Sequence, residues 1–334
     1  MKTAGAAALL SGSGMAFAAD AKIAKIGHLE AATQPRHQGL EKVSALVTER
    51  TKKSVEFKLF PASQLGNARQ MIEGTQFGSL ECTVMPAAFL GGFNPVISVL
   101  DIPFLLPKDR TAANALRDGP FGQYLLDSFK TRGFAAVGLW ANGRKSMTSR
   151  KPLASPKDFQ GQKFRVMDSK ILIEQFTGVG ASAVALPFGE LYTALQTGVV
   201  DGEENPLDTI ATMKFYEVQK YLVHSEHGAM EDFILFNPAW WNGLAADQRT
   251  TISTTFKEVR PYVEDLKEKA QTVALDKIRK GGVEVRELSD AERAEWRKLM
   301  YPPAVKAYVE RAGAEGKKAI EIYEAEAKKL GLPA

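Results

Sequence analysis

The sequence is poor in the residues that carry metal, redox and nucleophilic chemistry. One cysteine, Cys82, stands among 334 residues, so no internal disulfide can form. Its place in the apolar run LECTVM marks it as a buried structural thiol. Histidine occurs four times. His224 and His227 give H-x-x-H, but no spacing supplies the third or fourth ligand that a zinc site needs. After the N-terminal segment, no run approaches the ~18 apolar residues of a membrane span. A dominant charge is also lacking: 43 Lys plus Arg against 39 Asp plus Glu leave a net charge of +4. Basic residues stand beside acids, as in EDLKEKAQ, which argues for solvated helix faces and against a nucleic-acid surface. No G-x-x-x-x-G-K-[ST] loop occurs, and no Ser-His-Asp or Cys-His set emerges from spacing.

What is present reads as a globular chain long enough for two domains, with 45% hydrophobic and 25% charged residues. The start, MKTAGAAALLSGSGMAFAAD, combines Lys2, an apolar run and the small-x-small pattern Ala16-Phe17-Ala18. That predicts a signal peptide over residues 1–19 and a periplasmic mature protein. Strand patterns (AKIAKIGHL, SVEFKLF, LECTVM, FAAVGLW) then alternate with helix patterns, which predicts an α/β domain with a largely parallel sheet. A second unit begins near Asn142 and contains the strand KFRVM and the helix SKILIEQF, with Asp168 or Ser169 as its cap. Residues 245–280 form one helical pattern, about 50 Å long at ~1.5 Å per residue, with a kink expected at Pro261. Such a helix can tie two lobes together.

Several motifs fail on context. GVGASA, from Gly178, fits G-x-G-x-x-A, but its glycines follow a helix and precede a strand, the reverse of a dinucleotide turn. DGEEN, from Asp201, lacks the spaced acids of a calcium loop, and the adjacent Glu203 and Glu204 should point in different directions, a poor acid/base pair. No cofactor is expected. Arg165 is more informative. In KFRVM it should be partly buried, and a buried guanidinium needs an anionic partner: a structural ion pair, or a ligand carboxylate that its planar fork matches. Arg144, in LWANGRKSM, follows another apolar strand where the first unit gives way to the second.

Five segments carry a resemblance: FPASQLGNARQMIEGTQFGSLE, LDIPFLL, LWANGRKSMTSRKPLASPKDFQGQKFRV, LPFGELYTALQTGVVDGEENP and KFYEVQKYL. In this order they resemble the periplasmic substrate-binding proteins of TRAP (tripartite ATP-independent periplasmic) transporters, from about Lys22 to the C-terminus. The resemblance implies an α/β, two-lobed periplasmic binding protein fold with crossing hinge strands and a long lobe-spanning helix. Lobe I is expected at 20–142 plus 231–268, and lobe II at 143–230 plus 269–334. It implies that Arg165 pairs with a substrate carboxylate, Asn205 hydrogen-bonds the ligand, Arg144 adds charge and Phe188 packs on the ligand. Positions near Leu29 and Glu30, and near Pro86 and Ala87, should line the pocket.

The local sequences are most similar to the C4-dicarboxylate branch, so malate, succinate or fumarate is the first expectation. Hydroxy or keto acids follow, then an aromatic acid lined by Trp140, Phe188 and Phe233. Leu29 and Pro86 are apolar, which disfavours a large sugar acid. The expected partners are a small organic acid and membrane permease subunits. The competing classes are an enzyme using Glu203 or Glu204 as base, and a solute sensor of the same fold.

Overall fold

The structure, a computed structural model, describes residues 21–332. The expected signal segment, 1–19, therefore lies outside the described residues. The first half runs β1 (Lys22–Gly27), α1 (Pro35–Arg50), β2 (Val55–Phe60), α2 (Ala68–Phe77), β3 (Cys82–Pro86), α3 (Ala87–Leu90), α4 (Arg110–Asp118) and α5 (Pro120–Asp127). A long strand β4 (Ala135–Ser149) leads to β5 (Lys163–Val166), α6 (Lys170–Thr177), β6 (Ser182–Ala185), α7 (Leu191–Thr197), β7 (Gly202–Pro206) and α8 (Leu207–Thr212). A second long strand, β8 (Tyr221–Phe236), is followed by α9 (Pro238–Asn242), α10 (Ala246–Lys280), β9 (Glu284–Glu287) and α11 (Asp290–Lys329).

The strands form one sheet in the order β2-β1-β3-β8-β4-β7-β5-β6, with β9 also on β8. Its flanks are parallel, as the β-α-β alternation predicts. Its centre is not: β8 runs antiparallel to β3 and β4, and β4 antiparallel to β7. The two long strands are the crossing strands. The C-terminal part of β8 pairs with β3, while its N-terminal part pairs with β9. The end of β4 pairs with β7, and its register with β8 shifts between Ala141 and Arg144. The shift falls at Gly143, whose φ of +104° only glycine adopts readily.

Two helices fasten the halves. Along α10, Ile252, Phe256, Val259 and Val263 pack with Val43 and Val47 of α1, whereas Ala274 and Ile278 pack with Leu195 and Ile210. The helix is unbroken at Pro261, because the proline faces solvent, where water can bond the carbonyl that its missing N–H leaves free. In α11, opened by a Ser289–Glu292 capping box, Trp296 and Met300 join Phe159 and Phe164 in one core. Tyr308 and Tyr323 join Phe121 and Leu125 in the other. The residues after Met300 thus pack on the half that contains β1–β3. Among the described residues, no helix is long and apolar enough to cross a membrane.

Candidate functional site

Strand β5 places Arg165 opposite Glu203 of β7. Apolar neighbours Phe164 and Val166 bury the strand, and Arg165 is itself fully buried. Its Nε and Nη2 both donate to the Leu186 carbonyl, at 3.0 and 2.8 Å. Among the described residues, Nη1 has no hydrogen-bond partner. The guanidinium lies 5.9 Å from the centre of the Phe188 ring. Burial lowers its pKa to about 10, against the opposing pull of Glu203 and Glu204, so it remains a cation at neutral pH. A buried cation with a spare donor is a site for an anion.

The residues of DGEEN after Asp201 belong to strand β7. The alternation of β7 sends Glu203 and Asn205 to one face and Glu204 to the other. Glu203 accepts from Thr148 Oγ1 at 2.7 Å and Asn205 Nδ2 at 2.6 Å. Burial nevertheless pushes its carboxyl up to about 7. Glu204 accepts from Lys145 Nζ at 2.7 Å, Gln175 Nε2 at 2.5 Å and pairs with His227 Nε2 at 2.7 Å. Burial raises this carboxyl too, but Lys145 and His227 outweigh it and hold the pKa at about 2. The Lys145 stem reaches Glu204 past Gly228, where a β-carbon would sit 2.6 Å from Lys145 Cε. The acids therefore brace the crossing strands. His227 belongs to this brace, while His224 turns to Glu287 at 3.1 Å, so the two histidines share no ligand position.

Across the cleft, the loop after β1 supplies Glu30 and the start of α1 supplies Arg36. Arg36 makes a two-point pair with Asp232, at 2.6 and 2.7 Å, and lies 3.4 Å from Glu30. Lys267 of α10 sits 3.5 Å from Glu30 and 2.6 Å from Asp208 of α8. Burial raises the Glu30 carboxyl, but Arg36 and Lys267 outweigh it and keep the group ionised. One oxygen of Glu30 and Nη1 of Arg36 are buried without a hydrogen-bond partner.

Between these groups lies a narrow cleft. Leu29, Pro86, Phe89, Met167, Phe188 and Met230 form its apolar walls, and Glu30, Arg36, Asn205 and Thr209 its polar ones. The expected residues Glu30, Asn205 and Phe188 thus come together on the cleft; Arg165 is not among its lining residues, and its guanidinium lies 5.9 Å from the Phe188 ring centre. Two others do not join them. Trp140 is buried in the core between the sheet and α10, donating to the Phe256 carbonyl at 2.9 Å. It follows the pleat to the helix-covered face. Arg144 turns away to the Leu106 and Pro107 carbonyls and borders a separate groove with Glu226 and Glu231. Phe233 is likewise core, packed on Phe129, and Ala87 is buried at the start of α3. Ser169 occupies the N-cap position of α6, but its hydroxyl donates to Asp101 at 2.7 Å instead of capping. The GVGASA glycines end α6, as expected of a helix stop.

A two-lobed α/β frame, crossed by hinge strands and closing on a small cavity with a buried cation, defines a periplasmic solute-binding protein. The chain belongs to bacterial extracellular solute-binding protein family 7 (DctP), matched over residues 26–311. It is similar to a TRAP periplasmic solute-binding protein from Desulfovibrio salexigens solved with bound orotic acid: 63% identity, TM-score 0.92, 92% of this chain and 99% of that one covered. A succinate-bound relative from Sulfurospirillum deleyianum is 31% identical, with TM-score 0.82 over 90% and 99% of the chains. The C4-dicarboxylate-binding periplasmic protein DctP of Rhodobacter capsulatus is 33% identical over 327 residues, 96% and 97% of the two chains. The protein is a periplasmic TRAP-type solute-binding protein for organic acids, and a transport component rather than an enzyme. Glu203 and Glu204 are accordingly not catalytic bases.

Proposed function

We propose that this protein captures a compact monocarboxylate built on a flat ring, of the orotate type, and delivers it to TRAP permease subunits. The observation that carries the proposal is the buried Arg165 with a spare Nη1 beside the Phe188 ring. Arg165 binds the carboxylate, Asn205 orients it, and Phe188 with the methionines covers the ring. The cleft is electrically uneven. On the Arg165 side burial raises the neighbouring Glu203 to about 7, so at neutral pH it offsets only part of the cation's charge. On the other side three carboxyl groups, Glu30, Asp208 and Asp232, face two cations, Arg36 and Lys267. That balance welcomes one anionic group and repels a second. It supports a ring monoacid over the C4-dicarboxylate expected from local sequence, in agreement with the 63% identity to the orotate-bound protein.

We take the lobes to meet where β4 and β8 change partners, near residues 142–145 and 225–231, and to close on the acid about those strands. Isothermal titration of protein unfolded and refolded to remove carried-over ligand tests the reading. Orotate should bind at least about tenfold more tightly than succinate or malate. Tighter binding of either dicarboxylate would overturn it.

A further inference from the structure

We propose that Glu30 and Arg36 form an acceptor–donor pair that reads an adjacent N–H and C=O on the ligand ring, so that the ligand class is a carboxylate on a cyclic ureide or imide. The inference rests on the carboxylate capture proposed above and goes further, to the opposite edge of the ligand.

The pair is built and buried. Glu30 is 3% exposed and Arg36 1%, and both line the cleft. Each is fixed by bonds that leave one atom over. Arg36 spends Nε and Nη2 on Asp232, and its Nη1 has no partner. Glu30 places Oε1 toward Arg36 and Lys267, and the Asn142 side chain also favours its ionised form; among the described residues its Oε2 makes no hydrogen bond of ordinary geometry. An orphaned carboxylate oxygen and an orphaned guanidinium N–H are each costly in a buried site. Here they belong to residues 3.4 Å apart.

A ring N–H beside a carbonyl satisfies both at once: the N–H donates to Glu30 and the carbonyl accepts from Arg36. A second carboxylate satisfies only the arginine and sets its charge against the ionised Glu30. A plain aromatic acid satisfies neither. Sites built to hydrogen-bond a ligand N–H reject analogues lacking it by large factors, because their own polar groups are then left unpaired.

The test compares orotate, its N-methyl derivatives and nicotinate, a ring carboxylate without a ring N–H, on wild-type and Glu30→Gln protein by titration calorimetry. Wild type should prefer orotate to nicotinate by about 100-fold or more. Glu30→Gln should weaken orotate about tenfold or more and leave nicotinate within about threefold. Equal weakening of both acids, or of neither, overturns the inference while leaving carboxylate capture standing. Should Glu30→Gln fail to fold, wild type decides: N-methylation at one ring nitrogen must cost at least about tenfold, and binding of every N-methyl derivative within about threefold of orotate overturns the pair. If wild type binds no ring carboxylate, the proposed function falls, and this inference with it.

Discussion

Replacing Arg165 by alanine separates ligand binding from architecture with the largest expected effect. The guanidinium is already desolvated before any ligand arrives. Its fall from an ordinary 12.5 to about 10 corresponds to roughly 3 kcal/mol against the charged form. A ligand carboxylate meeting Nη1 recovers that cost through a charge-assisted bond. Truncating one partner of such a pair typically costs 2–5 kcal/mol, so a loss of about 3 kcal/mol, roughly 150-fold in affinity, is expected. At a ligand concentration of about 100 times the wild-type Kd, bound acid stabilises the native protein by about 2.7 kcal/mol. The same concentration stabilises Arg165→Ala by only about 0.3 kcal/mol. In a thermal melt this is a shift of roughly 4 °C for wild type and less than about 1 °C for the variant. Without ligand the two proteins should melt within a few degrees of each other, since the lost bonds to the Leu186 carbonyl are offset by removal of a buried charge. Equal affinity of the two proteins refutes the argument. A large loss of unliganded stability with affinity intact would assign Arg165 to the framework.

Glu203 sets a pH dependence. Its pKa is about 7 in the folded protein against an ordinary 4.5, so the folded state holds a proton there that the unfolded chain releases. The resulting stability, up to about 3 kcal/mol, is complete below about pH 4.5 and is lost as pH rises through 7. Urea unfolding at pH 5 and pH 8 should show this slope in wild type and a flatter one in Glu203→Gln. Lys145→Met leaves Glu204 buried without its main cation and should destabilise the protein by about 3–5 kcal/mol, read from the urea midpoint. Trp140→Phe removes the bond to the Phe256 carbonyl and should cost about 1–2 kcal/mol of stability while leaving ligand affinity unchanged in titration; a weakened affinity would return Trp140 to the site.

Local pattern made much of this molecule legible. The period-two and helical runs located most of the strands, and the continuous pattern of 245–280 became α10 almost to the residue. Strand context singled out Arg165, while Asn205 and Phe188 came only from the family resemblance; both of the latter lie on the cleft wall. Arg36 was not legible. It sits in QPRHQG at a helix start, where arginine ordinarily faces water, and its burial depends on Asp232, far along the chain. Contacts of that kind have no local signature. Trp140 and Arg144 show the converse error. Both are near the site in sequence, but the pleat and the register shift at Gly143 direct one into the core and the other to the carbonyls of Leu106 and Pro107. The acids of DGEEN were conspicuous in composition because buried cations on other strands require them.

The path of the chain has a consequence for how it comes to be folded at all. Strand β3 must wait for β8, as Cys82 pairs with Phe236. Two of the four core clusters must wait longer, one for Trp296 and Met300 and one for Tyr308 and Tyr323. High sequence separation of contacts slows folding and keeps the growing chain open. For a periplasmic protein that delay is useful, because an open chain can be threaded across a membrane and a finished one cannot. The core residues of α11 postpone the native state until that last helix has arrived.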